Sequence, residues 1–274
     1  MVNALENRKM EGIKKYTREE LESFVEGIRG AAVKIRELNP GYHIVSLNGG
    51  LALFDVLGIV DIDVDSDRAF YFPGSSRIQN SKEVLTRCFE NFFLEKQDEV
   101  NERCALASLD EVVGGHSVER VVNSYNAASK RVARFNLRGT ERRKGDVEDE
   151  AYTLRENFPL TIFGIKDMRN TGRRMSREYS SRVDSGDILE FPVKKIITMD
   201  DIDYEIVRFA HPESSGFSGQ GYYPRVKEIT RTSEYNALLR DVAGYVGADP
   251  DKIHLDRARI ISDCDKYSRK LRYD

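Results

Sequence analysis

Twice in 274 residues the chain passes from a short apolar segment through a glycine pair and directly into a helical pattern. In the first unit, His43 to Leu47 (HIVSL) reads as a buried strand, Asn48-Gly49-Gly50 as a tight turn, and Leu51 to Leu57 as a compact apolar helix. In the second, Cys104 to Leu109 (CALASL) reads as the strand. It opens into Asp110-Glu111-Val112-Val113-Gly114-Gly115-His116-Ser117, and a helix from about Val118 to Val132 follows. Strands separated by helices cannot pair through hairpins. The repeated unit therefore predicts an α/β fold with a mostly parallel central sheet flanked by helices, and with its sites at the strand C-termini.

The remaining segments fill in that frame. Thr17 and Glu20 form a T-x-x-E capping box ahead of a stripe of Leu21, Phe24, Val25, Ile28, Ala32 and Ile35, which predicts a helix to Leu38. Ile59 to Val64 and Ala69 to Phe72 alternate around Asp65-Ser66-Asp67, which predicts a hairpin or two adjacent strands. Asn80 or Ser81 caps a predicted helix reaching about Gln97. Arg138 to Glu150 is basic and then acidic, a pattern that predicts a linker or surface excursion. Leu160 to Ile165, Val193 to Thr198 and Tyr204 to Phe209 read as strands, and 233–245 and 250–271 as helices. A provisional division places a core with its N-terminal helix in 1–165 and a hood or α+β extension in 166–274.

Composition narrows the function classes. Hydrophobic residues make up 40% and charged residues 32%, and no apolar run approaches the roughly 20 residues of a membrane helix, so no membrane partner is expected. The first residues lack a continuous apolar stretch, and three cysteines give no paired spacing; both features predict a reduced, cytoplasmic protein. Net charge is 43 minus 46, or −3, which does not favour nucleic acid as partner, although it leaves that open locally. Asp61, Asp63, Asp65 and Asp67 mimic a calcium loop, but Ser66 stands where glycine and Phe72 where glutamate is required. No dinucleotide or Walker fingerprint is present, and His43, His116, His211 and His254 lack zinc-site spacing.

The strongest chemistry lies in SLDEVVGGHSV. Asp110 and Glu111 sit beside a glycine turn and a helix start, so carboxylates for hydroxyl groups and N–H groups for an anion fall within eight residues. The competing reading is that both acids merely cap a surface turn. Arg169, Arg173, Arg174 and Arg177 form an acid-free run that suits a phosphate, a nucleic acid or a subunit contact, or else a solvated loop. Residues 212–224 (PESSGFSGQGYYP) read as mobile surface or as a lid carrying Tyr222 and Tyr223.

This segment resembles the type I phosphoribosyltransferases, whose signature is a hydrophobic strand, two acids, a short apolar spacer and a T-G-x-T phosphate loop. Aligning Gly115 and Ser117 with that loop puts Asp110 at the second acid and Leu109 at the first. Aligning Asp110 and Glu111 with both acids leaves the loop one residue short. In either case Gly114 replaces the first threonine and His116 takes the variable position. Element order matches over roughly Tyr42 to Ile165.

The resemblance implies a protein that binds phosphoribosyl pyrophosphate (PRPP), or a nucleotide, with Mg2+ and passes the phosphoribosyl group to a nitrogen acceptor, releasing pyrophosphate. It implies that Asp110 and Glu111 hold ribose hydroxyls, with Mg2+ near Asp110 and bound mainly by substrate. Val113, Gly114, Gly115, His116 and Ser117 would hold the 5′-phosphate. Asn48, Gly49 and Gly50 would contact pyrophosphate, and Ser75, Ser76 and Arg77 would lie in a flexible arm. A homodimer is the usual assembly of the family. The alternative on the same fold is a sensor that binds PRPP or a nucleotide without turnover.

Overall fold

The computed structural model describes residues 16–47, 49–61, 63–64, 66–74, 78, 80–99, 102–139, 143, 145–170, 175–197, 207–210, 224–229, 232–249 and 257–269. Its central sheet is built from β1 (Tyr42–Ser46), β2 (Ala69–Phe72), β3 (Leu106–Val112), β4 (Leu160–Asp167) and β5 (Ile188–Val193). The spatial order is β2-β1-β3-β4-β5, and every pair is parallel. Helices cover both faces. On one lie α1 (Arg18–Leu38), α2 (Gly50–Val60) and α7 (Ser233–Val246), packed on Val45, Leu47, Ala107, Leu109, Phe163 and Ile165. On the other lie α3 (Ser81–Lys96), α4 (His116–Asn136) and α5 (Asp146–Asn157), packed on Ile44, Phe72, Leu106, Val112 and Ile162. This alternation along buried strands is what a parallel sheet enclosed on both faces requires.

Helix α1 starts as its sequence predicts. Thr17 Oγ1 accepts from the Glu20 N–H at 3.2 Å, and the Glu20 carboxylate accepts from the Thr17 N–H at 2.7 Å. Two of the otherwise unpaired donors at the helix start are thereby satisfied. The buried stripe of α1 includes Phe24, Val25, Ile28 and Ile35, and Lys194 at the end of β5 donates its N–H to Ser23 at 2.9 Å.

Several boundaries differ from the pattern-based expectations. The expected hairpin or adjacent strand pair at Ile59 to Phe72 does not occur among the described residues: α2 runs to Val60, a short 3-10 turn spans Ser66–Arg68, and Ala69–Phe72 pairs parallel with β1. The apolar run after Gly50 continues the helix, and Asp61 ends it in an extended conformation. Strand β3 extends three residues past Leu109, because Asp110, Glu111 and Val112 pair with Gly164, Ile165 and Lys166. The acids thus lie within the strand rather than beyond it.

The predicted strand at Val193 to Thr198 is displaced to Ile188–Val193, where Pro192 is tolerated at the sheet edge. The expected linker or surface excursion at Arg138 to Glu150 contains the start of α5, whose first turn holds Asp146, Glu148 and Asp149 at the positive end of the helix dipole. The sheet crosses residue 165 within β4, and Tyr235 of α7 donates its hydroxyl to Asp55 of α2 at 2.6 Å. The later part of the chain also supplies α6 (Arg177–Asp184), the antiparallel pair β6 (Val207–Ala210) and β7 (Arg225–Ile229), and α8 (Arg257–Tyr267). Among the described residues no helix is long and apolar enough to cross a membrane.

Candidate functional site

Strands β1 and β3 are neighbours, yet the chain leaves them in opposite directions. After β1 it crosses through α2 on one face to β2; after β3 it crosses by α4 and α5 on the other face to β4. A crevice opens at the C-terminal ends of two such strands, and in open α/β sheets ligands bind there. Both glycine turns lie at this position.

Gly49 and Gly50 begin α2 and press directly against β3. A side-chain carbon on Gly50 would lie 2.6 Å from the carbonyl oxygen of Leu109, and one on Gly49 would lie 2.5 Å from Asp110 Oδ1. The missing side chains therefore allow the first turn to contact the strand that carries the acids. Asn48 lies outside the described residues, as do Ser75, Ser76 and Arg77.

Asp110 is 4% exposed and Glu111 6%. Asp110 Oδ1 accepts from the Glu111 N–H at 2.9 Å. Burial pushes the Asp110 carboxyl up to about 6 against the opposing pull of that N–H, of the Arg120 charge and of the Ser117 hydroxyl. The carbonyl of Glu111 accepts from Ser117 Oγ at 3.3 Å, which ties the strand end to the start of α4. Their burial and their pairing with β4 exclude the reading of the two acids as caps of a surface turn.

The second turn ends in Gly115, with φ +76°, a left-handed conformation that favours glycine. Gly115 is the N-cap of α4 and supplies no side-chain cap, so the first N–H groups of the 21-residue helix have no acceptor within the helix. Val113, Gly114 and Ser117 are half-buried. His116 is exposed, with Nδ1 3.5 Å from Glu119 Oε2. The arrangement provides a buried carboxyl, a hydroxyl and a helix N-terminus within one turn of chain, a combination suited to a ligand bearing both hydroxyls and phosphate.

The flank of this turn was not anticipated. Tyr179 of α6 is 1% exposed, and its ring lies 2.8 to 3.4 Å from where a side-chain carbon on Gly115 would be. Its hydroxyl donates to Glu190 Oε1 at 2.7 Å, and Lys166 Nζ donates to both Glu190 oxygens at 2.8 and 2.7 Å. Ser176, the N-cap of α6, also bonds to the Glu119 carboxylate on α4. No local motif signals this contact, since it joins residues 64 positions apart; the N-cap spacing of Ser176 and Tyr179 marks only the start of α6.

The arginine run divides. Arg169 forks onto Asp167, with Nε to Oδ1 at 3.1 Å and Nη2 to Oδ2 at 2.6 Å. Burial opposes ionisation of Asp167, but this fork and the N–H groups of Arg169 and Ile196 hold its carboxyl below the ordinary range. Arg169 is therefore held by a carboxylate two residues away, with its side chain still 41% exposed. Arg177 is exposed, and Arg173, Arg174 and residues 211–223 lie outside the described residues. Among the described residues no group of three potential metal-ligating side chains occurs. No family model, curated protein or solved structure matches this chain.

Proposed function

We propose that the chain binds PRPP with Mg2+ in the crevice between β1 and β3 and transfers the phosphoribosyl group to a nitrogen acceptor, on a fold of the type I phosphoribosyltransferase kind. The observation that carries this reading is the convergence of the Gly49-Gly50 turn on Asp110, beside the uncapped N-terminus of α4. In this reading the α4 N–H groups and Ser117 hold the 5′-phosphate, Asp110 and Glu111 the ribose hydroxyls, and the Gly49-Gly50 turn the pyrophosphate. The nitrogen lone pair forms the bond to the anomeric carbon while the carbon–oxygen bond to pyrophosphate breaks. The pyrophosphate leaves with the electron pair, and the acceptor loses a proton to solvent. Alignment and stabilisation of departing charge dominate such a step.

Two carboxylates are too few for an octahedral metal shell. They suit an Mg2+ ion that arrives with pyrophosphate, ribose and water oxygens and takes one or two protein contacts. Bound there, the ion would offset charge on the pyrophosphate.

A second reading, binding without turnover, is favoured by the burial of both acids and by Leu109, which one alignment puts at the first acidic position. The two readings separate in one experiment: pyrophosphate release from PRPP and Mg2+ in the presence of purine and pyrimidine bases. Acceptor-dependent release, reduced at least tenfold in Asp110→Asn, supports the transferase. Saturable PRPP binding without release for any base supports the sensor. Absence of both rejects the site.

A further inference from the structure

We propose that Tyr179 is a positioning residue that clamps the Gly114–Ser117 turn in its anion-binding conformation, a role that rests on reading this turn as the phosphate site. Gly115 holds a left-handed φ of +76°, which solvent alone does not enforce. The Tyr179 ring fills the space a side chain at Gly115 would occupy, so the turn cannot shift toward α6 without displacing the ring.

The ring in turn is fixed at its far end. Its hydroxyl donates to Glu190, which Lys166 grips through both carboxylate oxygens, so β4 and β5 anchor the tyrosine through two charge-assisted links. On the other side of the contact, Ser176 bonds to Glu119 and joins the start of α6 to the first turn of α4. The turn therefore lies between two supports, the strand β3 and the side chain of Tyr179. Donors held before ligand arrives bind an anion without the cost of ordering them afterwards.

The test is the backbone NMR order parameters of the amides of 114–118 in the ligand-free chain, which report local rigidity whether or not an amide is hydrogen-bonded, paired with titration of PRPP and Mg2+. Tyr179→Phe keeps the ring and removes the tether; Tyr179→Leu removes the ring; Glu190→Gln weakens the acceptor. Tyr235→Phe is the control, because Tyr235 is likewise a buried tyrosine and its hydroxyl donates to Asp55 at 2.6 Å on the opposite face.

Order parameters at the turn amides are expected to fall modestly in Tyr179→Phe and Glu190→Gln, to drop from about 0.85 toward about 0.6 in Tyr179→Leu, and to remain unchanged in Tyr235→Phe. PRPP affinity should fall in the same order. Loosening within α6 alone, with the turn amides unchanged, overturns the clamp, as does an equal response to Tyr235→Phe. Loosening of the turn in a chain that binds no PRPP leaves the clamp standing and removes the ligand assignment.

Discussion

The two glycine turns share a sequence signature but need glycine for different reasons. At the β1 turn the constraint is distance: the backbone of β3 occupies the place of a side chain on Gly50, and φ at neighbouring Gly49 is an ordinary −126°. At the β3 turn the constraint is both backbone and packing, a φ of +76° at Gly115 with an aromatic ring against it. The first turn therefore brings two strands together, while the second holds a particular donor geometry. A glycine pair after a strand signals a close approach, and only the surroundings show whether a binding surface is also being shaped.

Substitution tests this distinction, beginning with the largest effect. Gly115→Ala combines left-handed strain with overpacking against Tyr179, and should lower unfolding free energy by about 4 kcal/mol, the sum of the two kinds of cost. Removing the ring obstacle in a Gly115→Ala/Tyr179→Leu double variant should not restore it, because the backbone strain persists; chemical denaturation of both variants checks this. Gly50→Ala meets a carbonyl rather than a movable side chain, and should cost about 3 kcal/mol, the upper end of ordinary overpacking. Equal losses in Gly50→Ala and Gly115→Ala, both relieved by Tyr179→Leu, would erase the difference drawn between the turns.

Asp110 links the two turns and adds a pH dependence. Its carboxyl, raised from 3.8 to about 6 in the folded chain, binds a proton more tightly there than when unfolded. Its contribution to stability is therefore fully present below about pH 4 and lost as pH rises through 6, with a limit of roughly 3 kcal/mol for a two-unit shift. Asp110→Asn cannot ionise, so its stability relative to the wild type should rise between pH 4 and pH 7. Denaturant midpoints of the two proteins across that range measure it, and a constant difference would show that the carboxyl is not perturbed. The smallest effect serves as a reference remote from both turns: Thr17→Ala removes the capping box of α1 and should cost about 1 kcal/mol without altering PRPP affinity.

The parts of this architecture legible from sequence were those governed by local rules. The Thr17–Glu20 box, the apolar stripe of α1 and the two strand-turn-helix units follow from spacing within a few residues. Strand partners and ends did not, because they depend on the neighbour: β2 is parallel only because α2 carries the chain across to β1's far side, and β3 reaches Val112 only because β4 is there to pair with it. The candidate site divides in the same way. Asp110, Gly115 and Ser117 were identifiable from their order along the chain, whereas Tyr179, Glu190 and Lys166 come together through tertiary packing.

The most direct measurement is calorimetric titration of PRPP with Mg2+ into the wild-type chain, Asp110→Asn and Ser117→Ala. Saturable binding by the wild type, weakened at least tenfold in both variants, is the predicted result and would locate the ligand between β1 and β3. No heat of binding at millimolar PRPP, or binding that both variants retain unchanged, would contradict the assignment of this crevice as a PRPP site.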